Sequence, residues 1–395
     1  MNKKLSLSLL LCLSLLLLLL AGCSQADGND FPSDDDSRHD IQDPTGSSGG
    51  DNVHVHGDDC DHPTGIDFTA AFSAFKPDTV MLNTAAGPLT WAELYVFLHR
   101  SVSDLFLSYG DAFNWTEGSD AGISLSDIVL EYSTDDALSF LSYVYGANSL
   151  GFTLSEDDLK VFSEDIEGLI EMYGSKEELE LSLRENGGFY SLDVFEKLYK
   201  IEFTIGFLIN DLFGDNASSF PDERVSEYAA ANGYMMAMHI LRLKIEGDDT
   251  PLDESKDILA QLDKHRDSGD LQEVFFDLMN QHSEDYGGLA SSPNGYLFQF
   301  NDMVEPFSEA SASLQVGQMS DIVETVYGYH IILRIPIDYE AIPSAFSREG
   351  IYRTLRQAAA LEDFDILMQD WLDSLNVEFT PEYSSIDLSV IFSTN

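Results

Sequence analysis

Val194, Leu198, Ile201, Ile205, Leu208 and Leu212 recur at intervals of four, three, four, three and four, the spacing that lines one face of a long α-helix. Leu159, Phe162, Ile166, Leu169 and Tyr173 form a similar stripe behind Ser155 and Asp158, a pair spaced to cap a helix start reciprocally. Thr90 and Glu93 repeat that device ahead of an apolar-rich stretch reaching about Tyr109. Ala360, Phe364, Leu367 and Trp371 mark a late helix over about 351–375. Each stripe reads as core packing, so the body is expected to be helical towards both ends.

Between Asn232 and about Asp338 the period changes. Residues 236–243 alternate loosely as a strand, and helical patterns follow at about 252–266 and 271–281. A loop rich in Gly, Ser, Pro and Asn runs from Tyr286 to Gly295, a short amphipathic helix lies near 306–314, and a second strand spans 326–334. These elements describe a compact α+β unit inserted between helices.

The chain opens differently. Lys3 and Lys4 precede a leucine-rich run from Leu5 to Leu20 and the small residues Ala21, Gly22 and Cys23, which is the pattern of a secretory signal. A membrane span is disfavoured, because the run falls short of the ~20 apolar residues a bilayer core needs and acids follow it instead of a basic stop. From Ser24 to about Gly65 the chain is mostly Asp, Gly, Ser, His and Pro, a composition that cannot bury a core and reads as a solvated linker.

Charge narrows the function. Twenty Lys and Arg stand against seventy Asp and Glu, a formal net charge of -50, so phosphate backbones are repelled and no nucleic-acid partner is expected. The three cysteines, at 12, 23 and 60, are too few for a disulfide framework. His54, His56, Cys60 and His62 sit close together in the linker. Imidazole and thiolate suit Zn or Cu, but a polar tract with no fold to preorganise it also touches metal weakly or not at all, and no metal is assigned.

Several segments within 233–338 match one pattern in order. His239-Ile240-Leu241 and Gly328-Tyr329-His330-Ile331-Ile332 resemble the first and last strands of the parvulin family of peptidyl-prolyl cis-trans isomerases. Ser283-Glu284-Asp285, Gly295-Tyr296-Leu297-Phe298-Gln299-Phe300, Met303-Val304-Glu305-Pro306-Phe307 and the run from Leu314 to Val323 resemble the family's intervening motifs. The flanks are similar to PrsA- and SurA-type extracytoplasmic foldases. They comprise Leu20-Ala21-Gly22-Cys23 as a lipobox, the helical segment leading through Ser219-Phe220-Pro221, and a returning helix with Trp371.

The resemblance implies an α+β fold, a parvulin-like domain with a small antiparallel sheet inserted into a mostly helical chaperone-like domain. It implies a signal peptide over 1–22, a lipidated Cys23 and linker to 65, helical segments at 66–232 and 339–395, and the isomerase unit at 233–338. His239, Asp285 and His330 would form the catalytic group, and Leu297, Phe300, Met303 and Phe307 the proline cup. No cofactor is implied. The partners would be unfolded or newly exported polypeptides, met on the extracytoplasmic face of a membrane through the lipid anchor. The matching departs from the family at Asn294-Gly295-Tyr296-Leu297-Phe298, at Asn301-Asp302 and after Asp285, all at the lip of the groove, which keeps a catalytically weak binding lipoprotein as the alternative. No basic cluster follows His239-Ile240-Leu241, so no preference for phosphorylated Ser/Thr-Pro is expected.

Overall fold

The structure is a computed structural model and describes residues 68–109, 115, 122–348 and 351–392. Cys23 and the His54, His56, Cys60, His62 tract lie outside the described residues, together with the leader and linker. Among the described residues no helix is long and apolar enough to cross a membrane, and no group of three or more His, Cys, Asp or Glu is placed to hold a metal ion. The described chain divides into two compact units, one formed by 68–208 with 368–392 and the other by 209–367.

The first unit is built on α1 (Trp91–Tyr109), α2 (Leu125–Leu150), α3 (Glu156–Tyr173), α4 (Lys176–Gly187) and most of α5 (Leu192–Phe213). The Thr90 amide and hydroxyl both donate to Glu93, and Ser155 and Asp158 form a complete capping box, so both expected starts are made. Its core is aromatic, with Trp91, Tyr95, Phe189, Phe195 and Phe392 fully buried. Gly146 lets α2 lie against Trp371, since a Cβ there would meet the indole at 2.3 Å.

A small sheet joins the helices of this mostly helical unit. β1 (Val80–Thr84) pairs with β2 (Gly87–Thr90) across a tight turn and, on its other edge, with the two-residue strand Glu378–Phe379. Strands this short carry little alternation, and one partner lies some 300 residues away, so local periodicity does not reveal them.

In the second unit α6 (Asp222–Ala231) leads into β3 (Met235–Leu243), followed by α7 (Thr250–Leu262), α8 (Leu271–His282) and α9 (Tyr286–Ser291). Then come β4 (Tyr296–Phe298), α10 (Glu305–Ser313), β5 (Val323–Glu324), β6 (Gly328–Ile335) and the first part of α11 (Leu355–Asp373), whose residues from Met368 belong to the first unit. The sheet is antiparallel throughout with order β4-β3-β6-β5. Met235, Ala237, Phe298 and Ile332 pack with Phe307 of α10 on one face. The unit is thus α+β.

Three boundaries differ from the sequence reading. The segment after Asp285 begins with helix α9, because the Asp285 side chain caps the Gly288 amide. The last strand starts at Gly328, since Val326 and Tyr327 form the turn of the β5–β6 hairpin closed by the Thr325 amide on the Gly328 carbonyl, 2.8 Å. The late helix starts at Leu355, where Thr354 and Gln357 exchange capping hydrogen bonds of 2.9 and 3.3 Å.

Candidate active site

The register of β3 on β6 sets His239 opposite Ile332 and Leu241 opposite His330. The two imidazoles are therefore diagonal neighbours on one face of the sheet, within reach of each other by strand geometry alone. Their Nδ1 atoms lie 3.1 Å apart, and the rings stack at 5.3 Å and 20°. The segment carrying Asp285 is tied to β3 by the Glu284 amide on the Leu241 carbonyl, 2.8 Å, and by the Leu241 amide on Ser283 Oγ, 3.2 Å. That tie brings Asp285 Oδ2 to 2.8 Å from His239 Nε2.

Asp285 has two further donors, the Tyr296 hydroxyl at 2.7 Å and the Gly288 amide at 3.0 Å. A Cβ at position 288 would come within 2.1 Å of the Tyr296 hydroxyl oxygen and 2.3 Å of Asp285 Oδ2, so only glycine leaves room for this bond. At the opposite end Thr325 Oγ1 lies 2.9 Å from His330 Nε2 and accepts the Tyr327 amide at 3.1 Å.

Proton positions along this chain follow from its carboxylate end. The His239 hydrogen bond holds the Asp285 carboxyl well below the usual carboxylate range, with Tyr296 and the Gly288 amide adding to the effect against the opposing pull of burial. An ionised Asp285 can only accept, so His239 presents Nε2–H to it and leaves Nδ1 as an acceptor. His330 then donates from Nδ1 and accepts from the Thr325 hydroxyl at Nε2. In this arrangement His330 is neutral, and burial pushes its pKa down to about 3. All four ring nitrogens are engaged within the protein, which leaves neither imidazole a free nitrogen for acid or base work on a ligand.

Phe307 roofs the pair, its ring 5.3 Å from His239 and 5.4 Å from His330 and nearly perpendicular to both. It borders an open cavity of about 700 Å³ whose walls include Leu241, Asp285, Tyr296, Met303 and both histidines. His239, Asp285, His330, Met303 and Phe307 are thus brought together at one cavity.

Leu297 and Phe300 are not among its lining residues. Leu297 pairs with Met236 on β3, whereas its neighbours Tyr296 and Phe298 pair with Ala237 and Met235, and the two-residue period of a strand turns Leu297 to the opposite face. It is sealed there at 1% exposure, while Phe300 lies on a 3-10 turn with its ring 44% exposed. The wall that Leu297 was expected to supply is made by the Tyr296 ring.

Three lining or linking residues escaped sequence reasoning. Tyr296 gave a signal, since it stands where the matching departs from the family. Thr325 joins the chain only through the hairpin turn. Ser344 Oγ lines the cavity, buried and with no hydrogen-bond partner among the described residues.

Comparison with known proteins places a family on this segment. Residues 239–335 match the rotamase family model, the PPIC-type PPIase domain. The chain is 31% identical over 176 residues to the foldase protein PrsA of Geobacillus sp. (strain WCH70), covering 44% of this chain and 54% of that protein. It is 24% identical over 235 residues to PrsA of Oceanobacillus iheyensis, covering 56% and 72%. It spans about half the length of the first of these relatives. A crystal structure of PrsA from Bacillus subtilis aligns over 75% of this chain and 91% of that one at 18% identity, with a TM-score of 0.24.

Proposed function

We propose, on the premise that residues 239–335 form a PPIC-type PPIase domain, that this chain is a membrane-anchored extracytoplasmic foldase that speeds cis-trans isomerisation of X-Pro bonds in newly exported polypeptides. Rotation about such a bond breaks amide resonance, a barrier of roughly 20 kcal/mol that takes tens to hundreds of seconds to cross unaided. No nucleophile is needed. A catalyst has to grip the proline ring, thin out the water that solvates the planar amide, and favour the twisted form.

Met303 and Phe307 offer the apolar surface for the pyrrolidine ring. The chain from Tyr296 through Asp285, His239 and His330 to Thr325 holds the floor in one arrangement, so its dipoles need not reorganise as the amide twists. The observation that carries this reading is the fully hydrogen-bonded histidine pair lying under Phe307 at an open cavity.

The helical unit would hold unfolded segments. It has its own cleft of about 480 Å³, lined by Val144, Phe152, Leu154, Ile201 and Ile205 with Lys197 and Lys200. Anchoring would come through diacylglyceryl Cys23, where two acyl chains suffice for stable attachment. Cys23→Ser is expected to release the protein from the membrane fraction.

Refolding of a protein limited by prolyl isomerisation tests the whole reading. Acceleration of the slow phase at a small fraction of the client concentration is expected. A second reading, a chaperone with little turnover, draws on Leu297 being turned out of the cup. It predicts suppressed aggregation at stoichiometric amounts with the slow phase unchanged.

A further inference from the structure

The charges around the cavity are one-sided. Glu284, Asp285 and Asp302 line it, and no Lys or Arg does. Two tyrosines on the same lining, Tyr286 and Tyr327, are 72% and 60% exposed and offer their rings to a ligand. The two cations at the end of β3 are both paired with acids: Arg242 pairs with Glu254 and, at 3.5 Å, with Glu284 and donates to the His282 carbonyl, and Lys244 pairs with Glu324. Across 239–335 six Lys and Arg stand against eighteen Asp and Glu, so the wider field has the same sign as the mouth.

Asp285 is consumed by its three donors and Glu284 shares its charge with Arg242, so Asp302 together with Glu284 gives the mouth the negative sign an incoming peptide meets. Each is oriented by the backbone: Glu284 Oε2 accepts the Leu243 amide at 2.7 Å and Asp302 Oδ2 the Gln299 amide at 2.7 Å. Oriented carboxylates beside exposed aromatic rings are the combination that recognises an ammonium or guanidinium group, through charge-assisted hydrogen bonds and the negative face of the ring.

We infer that the site selects X-Pro segments in which X is Lys or Arg. The inference rests on the isomerase reading of the cavity and deepens it by naming the substrate class. A Lys or Arg before proline, with that ring against Met303 and Phe307, would carry its charge to the mouth. An acidic or phosphorylated residue in the same place finds like charge and no counter-ion.

Exchange NMR on the intact chain with Ala-Xaa-Pro-Phe peptides, Xaa being Lys, Leu or Glu, tests this at low and high salt. At low salt kcat/KM for the Lys peptide is expected to exceed that for Leu by about three- to tenfold, with Glu the slowest, as for partly exposed charges in a focused field. The spread is expected to shrink when salt shortens the screening length. Asp302→Asn together with Glu284→Gln is expected to bring the Lys-to-Leu ratio towards one, and the salt series on the unaltered chain examines the same point without any substitution. Equal turnover of Lys and Leu peptides, or fastest turnover of Glu, overturns the inference while leaving the isomerase reading intact. No acceleration of any peptide removes both.

Discussion

His99 in the helical unit and His330 in the inserted unit are buried alike, at 6% and 4% exposure, and burial pushes both pKa values down, to about 4 and about 3. Their surroundings differ. The His99 ring packs against Phe68 at 4.6 Å and Tyr95 at 6.0 Å, as one more aromatic member of a core. The His330 ring is bonded at both nitrogens, in a chain that runs from a threonine to an ionised carboxylate beside an open cavity. Burial of a histidine therefore marks nothing by itself. What separates a site from a core is whether its polar atoms are organised towards a space a ligand can enter.

The comparison is most exposed to a pair of substitutions. Asp285→Ala removes the anchor of the chain and leaves the Tyr296 hydroxyl and His239 Nε2–H without their acceptor. X-Pro isomerisation is expected to fall about ten- to hundredfold in kcat/KM, matching the roughly 1.5–3 kcal/mol of a charge-assisted bond. His99→Phe, which keeps an aromatic ring in the core, is expected to leave the rate within about twofold. Equal losses in the two variants would erase the distinction.

Gly146→Ala probes the helical unit alone. The added Cβ collides with Trp371, an overpacking expected to cost about 1–3 kcal/mol of stability in thermal or urea melts. The imidazole NMR signals of His239 and His330 are expected to stay in place.

Acid should weaken both units through their buried histidines. Each folded-state pKa lies below the unfolded value, so the unfolded chain binds more protons over the interval, and stability falls as pH drops from about 6.5 towards 4 for His99 and 3 for His330. Between pH 7 and 5 each contributes a loss of roughly 2 kcal/mol. His330→Gln is expected to flatten the pH dependence of its own unit, followed by denaturant midpoints across that range. An unchanged slope would mean that the ring is not held neutral.

Among substitutions in the hydrogen-bonded chain, the smallest loss is expected of Tyr296→Phe. The ring and its wall of the cavity stay, one donor to Asp285 is lost, and a net hydrogen bond of about 1 kcal/mol translates into roughly a fivefold lower kcat/KM.

Much of this was legible in the sequence, for identifiable reasons. Capping residues and apolar stripes placed α1, α3 and α5 because helical signals are local. His239 and His330 could be paired because they sit at matching positions of one family pattern, and the strand register then brings them together. Leu297 was misplaced because a residue-by-residue match does not say which face of a three-residue strand points inward. Thr325 and the β1–β2 sheet depend on a turn and on partners far along the chain, and neither leaves a periodic trace.

The most direct measurement is X-Pro exchange by NMR with the intact chain and with Met303→Ala, whose side chain borders the cavity and bonds to none of the chain below it. The account predicts exchange well above the uncatalysed rate, with most of the acceleration lost in the variant while the His239 and His330 resonances stay unchanged. A folded chain that leaves the exchange rate at background, or a variant as fast as its parent, would contradict it.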